Sequence, residues 1–114
     1  MRSLGVYCGD TLLNETDENG PSTRNKIMLE YYRVEKNQTH TVDKETSYGI
    51  TIIKKEFEQD EVKFERNCIE EITTNENIID KIIEVLKKYK VTPIGFNDVL
   101  TDLLKLPQFQ ECND

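Results

Sequence analysis

The chain is short of apolar side chains: they make up 36% of its 114 residues, against about 45–50% in an ordinary globular domain. Charged residues fill the gap at 32%, so the surface is dense in charge or part of the chain is unfolded. No run approaches the ~18 consecutive apolar residues of a membrane-spanning helix, which excludes a helical membrane protein. At this length there is room for one small domain and loose ends, not for two cores. Clustered positive charge is missing as well. The formal charge is −7, with residues 1–25 contributing −2, 26–74 −3, 75–106 nothing and 107–114 −2. A nucleic-acid surface needs clustered Lys and Arg to displace counterions, so direct nucleic-acid binding is not expected.

Reactive groups are scarce too. Cys8, Cys68 and Cys112 are an odd, widely spaced set with no CxxC pair, which suggests neither a disulfide framework nor a zinc site. Reduced thiols in the cytoplasm fit best. The opening MRSLGVYCGD has too short an apolar run for a signal peptide, and Val6 and Tyr7 stand where a lipoprotein site wants small residues. The glycosylation-type triplets at Asn14 and Asn37 therefore read as chance. His40 is the one imidazole, in the polar loop from Lys36 to Thr46, and a lone loop histidine is usually solvated. No phosphate-cradling, nucleophile-elbow, zinc-helix or dinucleotide motif is present. Paired carboxylates such as Glu70 with Glu71 are neighbours on a strand, where side chains point to opposite faces. No cofactor, metal or catalytic residue is expected.

Residues 9–25 hold two adjacent leucines among polar and turn-forming residues. Such a segment buries too little to offset an ordering cost of about 1–2 kcal/mol per residue. Residues 1–25 are expected to form a flexible N-terminal arm; the alternative docks Val6-Tyr7 or Leu12-Leu13 as a short edge strand. Ile27 to Val34 is aromatic and β-branched, as a strand should be. From Tyr48 to Phe57 the apolar positions alternate on each side of Ile52-Ile53, which suggests a bulge or a strand covered on both faces. Gly49 fits a close backbone approach. After a polar turn at Glu58 to Glu61, Val62, Phe64, Arg66, Cys68 and Ile72 recur on even positions, completing a hairpin in which Cys68 reads as a small buried hydrophobe.

Thr73 with Glu76 reads as a capping box, and Ile78, Ile79, Ile82, Ile83, Leu86 and Tyr89 form one helical stripe. Lys87, Lys88 and Lys90 crowd the end of this helix, complementing its dipole. A second helix starts at Thr92-Pro93 or at Asn97-Asp98, carries Phe96, Val99, Leu100, Leu103 and Leu104 on one stripe, and stops at Pro107. The outline resembles a helix-turn-helix. Its second helix, however, offers Asp98 and Asp102 where a recognition helix wants Arg, Lys, Asn or Gln.

The expected architecture is therefore an α+β domain at 26–106: a three- or four-stranded antiparallel sheet (a meander) with two antiparallel helices packed on one face, followed by a short acidic tail at 107–114. Adjacent Tyr31 and Tyr32 must face opposite sides of the sheet. An outer strip with Tyr32 or Tyr31 and Met28 or Ile53 would suit a partner, because Tyr and Met favour interface cores. For about 80 ordered residues, burial and ordering entropy nearly cancel, so self-association would help. The favoured function is a non-catalytic protein-binding or regulatory module, with Tyr32, Tyr48, Ile53, Phe96 and the acidic turn of Glu58, Asp60 and Glu61 as candidate surface. Its partner is a protein, with a homodimer in view. Two rivals stand beside it: an acidic inhibitor that blocks the basic nucleic-acid groove of a phage-defence or transcription enzyme, and a small-ligand binder with a pocket between sheet and helices.

SYGITI (Ser47 to Ile52), ITTNENIIDKII (Ile72 to Ile83) and KVTPIGFNDVLTDLL (Lys90 to Leu104) resemble a family of small clostridial (Firmicutes) proteins of unknown function over about residues 27–105. Val-Thr-Pro-Ile followed by Asp-Val-Leu-x-Asp is the most specific element. The resemblance implies a bacterial cytosolic domain and brings no catalytic residue with it.

Overall fold

The computed structural model describes residues 2–12, 26–37, 46–58 and 60–109. Four strands, β1 (Arg2–Leu12), β2 (Lys26–Asn37), β3 (Thr46–Phe57) and β4 (Val62–Thr73), precede two helices, α1 (Glu76–Lys88) and α2 (Phe96–Leu104). A 3-10 turn, Pro107–Phe109, follows. The strands pair in chain order as one open antiparallel meander. The protein is thus the expected α+β fold in its four-stranded form.

The expected arm is, in its first half, a strand. Arg2 to Leu12 runs antiparallel to β2 from Arg2 opposite Asn37 to Leu12 opposite Met28. Pairing with β2 satisfies the backbone groups on that side, so the strand does not depend on a large apolar content of its own. The alternation is broken by a bulge between Tyr7 and Gly9, where Gly9 has φ +130°, and this break hides the strand from a period-two reading. The rest of the arm, 13–25, lies outside the described residues, as do the loop containing His40 and the last five residues with Cys112.

Register decides which side chains share a face. Tyr31 lies opposite Ile52 and Arg33 opposite Ile50, and Ile50 lies opposite Ile69. This inner face carries the helices: Leu29, Tyr31, Ile50 and Ile52 are fully buried with Ile79, Ile82, Leu86 and Phe96. Tyr31 donates its hydroxyl to the Val91 carbonyl at 2.9 Å. Arg33 donates to Asp80 at 2.9 Å and to Glu35 at 2.6 Å, fixing the first turns of α1 to the sheet. The helices cover only part of the inner face. From the row of Leu29 onward its β3 and β4 side is charged, with Lys54 facing Glu65 at 3.9 Å in that row and Lys63 facing Glu58 at 3.0 Å beyond it.

Gly49 does bring two backbones together. A Cβ there would meet the Ile69 carbonyl oxygen at 2.4 Å and the Glu70 Cα at 2.8 Å. The register shift lies here, between Tyr48 and Ile50, rather than at Ile52-Ile53. It places Glu71 in the left-handed region at φ 56°. On the hairpin side of the shift Ile69 lies opposite Ile50 and Cys68 opposite Thr51, so Ile69, not Cys68, faces the helices. The even-numbered apolar set of β4 is therefore a true strand pattern that faces outward: Phe64 is 63% exposed, and Cys68 is half-buried on the outer face.

Helix starts also shift. Thr73 is still paired with Tyr48, so the first residue free to cap is Asn75, whose side chain accepts from the Ile78 N–H at 3.1 Å. Thr73 accepts instead from the Asn75 N–H at 3.1 Å. Thr92 opens a turn over Pro93 to Gly95, accepting from the Gly95 N–H at 3.4 Å, and α2 begins only at Phe96. After α2, the expected tail starts by returning to the core: the Phe109 N–H bonds the Leu106 carbonyl at 3.0 Å, and its ring is buried with the helices.

Candidate functional site

Side chains that point away from the helices form a second face with no element of the described chain over it. Its rows follow from the registers of all three strand pairs. Leu12, Met28, Lys55 and Phe64 make one row, Asp10, Glu30, Ile53 and Arg66 the next, and Tyr7, Tyr32, Thr51 and Cys68 the third. Gly5 and Val34 then lead across Gly49 to Glu70. Apolar bulk is concentrated at one end, where Leu12, Phe57, Val62 and Phe64 are all exposed by more than a third.

The polar groups among them are tied down. Glu30 accepts from the Tyr32 hydroxyl at 2.9 Å and pairs with Lys55 at 3.0 Å, while Lys55 also lies over the Phe64 ring at 5.9 Å. Lys36 crosses the small residues of β3 to reach Glu71 at 3.3 Å and Glu70 at 3.6 Å; this contact, chiefly a hydrogen bond to Glu71, raises the lysine pKa. Tyr7 packs edge-on against Tyr32 with centroids 5.5 Å apart and donates its hydroxyl to Asp10. That hydrogen bond pushes the Tyr7 phenol up to about 12. Burial, then the bond to Glu30, raises that of Tyr32. Both phenols stay neutral donors at neutral pH.

The result is relief in two halves. On β1 and β2 the two tyrosines form a ridge. Centred on β3 and β4 lies an open depression of about 290 Å3 lined by Thr51, Ile53, Arg66, Cys68 and Glu70, bounded by Tyr32 and Val34 and reaching Gly5 of β1. Between sheet and helices, where a ligand binder would keep its pocket, Ile, Leu, Phe and Tyr side chains pack together instead. Burial raises the Cys8 thiol above its usual pKa, the opposite of what activates a nucleophile. Among the described residues no three His, Cys, Asp or Glu side chains are grouped as metal ligands would be, and no helix is long and apolar enough to cross a membrane.

The residues picked from sequence separate on this frame. Tyr32 and Ile53 do share the outer face, with Met28 beside them, and Tyr31 takes the core position. Tyr48 lies on the opposite, helix-bearing face beneath the Arg33 guanidinium, 5.5 Å from its ring centre. Phe96 is fully buried and is no part of any surface: at the first turn of α2, its ring is directed into the core. Glu58, Asp60 and Glu61 sit at the β3–β4 turn, where the Glu58 N–H bonds the Glu61 carbonyl at 2.9 Å and the Glu58 carboxylate is taken by Lys63. Sequence reasoning misses Tyr7, Asp10 and Leu12, which fall in the expected arm, and Phe64 and Arg66, which share the even spacing of Cys68 and so the face expected to be buried. The Val6-Tyr7 pair was the available signal for the first group.

A four-stranded meander with helices on one face and, on the other, an aromatic, ion-paired sheet surface that no described element covers defines a small α+β domain. The chain belongs to the family of unknown function DUF6514, whose model matches residues 11–106. No curated protein and no solved structure shows significant similarity to it.

Proposed function

We propose that this chain is a non-catalytic protein-binding module of the bacterial cytosol and that the outer face of its sheet is the binding surface. The observation that carries this is the ridge and depression that no described element covers, with Tyr7, Leu12, Met28, Tyr32, Ile53 and Phe64 on one side of a sheet whose other side carries the helices. Monomeric proteins rarely leave large contiguous apolar patches in water, and Tyr, Phe and Met are enriched at interface cores. Cys8 and Cys68, the cysteines among the described residues, are free thiols, which fits a reducing compartment.

Affinity capture from a host lysate, with wild-type and substituted baits, tests the reading. Ile53→Arg and Phe64→Glu place charge on the face without touching the packed core, and partner recovery is expected to fall with either, while Asp60→Asn with Glu61→Gln leaves it unchanged. Capture is expected to survive high salt, because the contact is largely apolar. The reverse pattern, loss with the acidic turn neutralised and steep weakening with ionic strength, would favour an acidic inhibitor of a nucleic-acid enzyme. That rival has less to stand on: the carboxylates Glu58 and Glu65 at this end of the sheet are interleaved with Lys63 and Lys54 as ion pairs.

A further inference from the structure

Resting on the reading of the outer face as a binding surface, we infer that its occupant is a second copy of this chain, packed sheet to sheet about a two-fold axis running along the strands between β2 and β3. Such an axis lays β1 of one protomer over β4 of the other and β2 over β3, and each row of side chains meets the same row of the partner. The rows are self-complementary under that operation. In the third row two large residues, Tyr7 and Tyr32, are followed by two smaller ones, Thr51 and Cys68. Rotation sets the tyrosine ridge into the partner's depression and receives the partner's ridge in return. In the first row Leu12 meets the partner's Phe64.

Charge gives the second, independent match. Asp10 and Arg66 occupy opposite ends of one row. Three strand spacings of about 4.8 Å, or ~14 Å, separate them, too far to pair within the chain. Arg66 is exposed and has no ion-pair partner among the described residues, and Asp10 has only the Tyr7 hydroxyl. The other charges nearby, Glu30 with Lys55 and Lys36 with Glu70, are already paired. The two-fold brings Asp10 over Arg66 of the partner subunit, twice per dimer, so these two charges, unpaired along their own row among the described residues, match each other. Isologous contacts of this kind are the commonest closed assembly, and facing sheets pack about 10 Å apart with strands within ~30°.

The area suffices. Four strands make a face about 19 Å wide, and ten or so residues of strand give about 35 Å of length. That is ~650 Å2 per protomer, or ~1,300 Å2 in total, within the ~1,200–2,000 Å2 of standard stable interfaces. Each chain carries −7, but with a Debye length of about 8 Å at physiological salt that repulsion is screened.

Sedimentation of the full chain at physiological salt, from micromolar to millimolar concentration, tests this. A reversible dimer is expected. Asp10→Arg and Arg66→Asp should each weaken it by about tenfold or more, and the double exchange Asp10→Arg with Arg66→Asp should restore most of the loss, since the coupling between two groups in contact reappears when both are reversed. Both sites are exposed, and a cooperative melt at concentrations where the wild type is also monomeric will show that the variants fold, since at higher concentration the dimer itself raises the midpoint. A monomer throughout overturns the dimer, as does a dimer indifferent to both single exchanges, or one weakened by them without rescue. If the chain is monomeric while capture still depends on Ile53 and Phe64, the dimer is wrong and the protein-binding face stands; if capture is indifferent to the face too, both fall.

Discussion

The hydroxyl of Tyr31, in the middle of β2, donates to the carbonyl of Val91, sixty residues later in the segment that joins the two helices. No side chain of the core is more informative about how the layers are joined. The ring is fully buried against Ile52 and the α1 stripe, and its polar end holds the one point where the chain turns from α1 toward α2. Removing the oxygen with Tyr31→Phe keeps the packing and strands the Val91 carbonyl, which should cost about 1–2 kcal/mol. Urea titration of both proteins will measure it; a loss below a few tenths would mean that the bond contributes nothing to holding the layers together.

The same residue sets the alkaline limit. Burial raises the Tyr31 phenol above its ordinary value of 10.0. Below that value the phenol is protonated whether the chain is folded or not, and its contribution is fully present. As pH climbs past it the unfolded chain gives up the proton and the folded chain keeps it, so unfolding releases protons and stability falls. Stability measured at about pH 9 and about pH 11 should drop for the wild type and drop less for Tyr31→Phe. Equal slopes would place the alkaline sensitivity elsewhere, for example at Tyr7.

Gly49 separates close approach from mere smallness. Any Cβ at this position meets two backbone atoms of the β4 bulge under 3.0 Å away, and backbone cannot swing aside as a side-chain tip would. Gly49→Ala should therefore destabilise by about 2–3 kcal/mol, lowering the melting temperature by roughly 10 °C or more in a domain of this size. Gly5, on the same face with open space around its Cα, is the control: Gly5→Ala should change little.

Much of this fold is legible in the residues, and the failures share a cause. The helical stripes hold from Ile78 to Leu86 and from Phe96 to Leu104, because a helix carries its own hydrogen bonds and its period repeats over several turns; Tyr89, expected to end the first stripe, is the C-cap and stands exposed. The tyrosine pair was also readable, since adjacent residues on a strand must diverge. What periodicity cannot give is which face of a strand meets the core. Val62, Phe64, Arg66 and Cys68 alternate correctly, yet their orientation follows from a register with β3 that the turn sets, Phe57 opposite Val62, and that alternation alone does not show. β1 was lost for a related reason. Its bulge at Cys8-Gly9 breaks the alternation, and its backbone hydrogen bonds come from a partner some thirty residues away. Half of the candidate surface, Tyr7, Asp10 and Leu12, was lost with it.

The start of α1 offers a measurement of where a helix begins. Asn75 supplies the cap to Ile78, whereas Thr73 is held in the sheet opposite Tyr48 and reaches only the Asn75 N–H. Asn75→Ala should cost about 1 kcal/mol, and Asn75→Asp, which keeps an acceptor in place, only a few tenths. If both substitutions were equally costly, the amide would matter for some contact other than the cap.

At the far end of α1 the chain leaves the helix by a route normally reserved for glycine. The Val91 N–H bonds back to the Leu86 carbonyl at 3.0 Å and the Lys90 N–H to that of Lys87 at 3.2 Å, the two bonds of a Schellman ending. Val91 and Leu86 are both buried in the same core, the apolar contact that accompanies this ending. Lys90 therefore stands at the position that must be left-handed, with φ 53°, where a β-carbon is crowded by its own backbone. Lys90→Gly should relieve that crowding and raise stability by about 0.5–1 kcal/mol despite the added freedom of the unfolded chain. Lys90→Ala, which keeps the β-carbon, should not gain. The comparison matters because a lysine at a helix C-terminus also complements the dipole: if alanine and glycine both lost stability, the charge would outweigh the backbone at this site, and only a glycine gain without an alanine gain assigns the effect to φ.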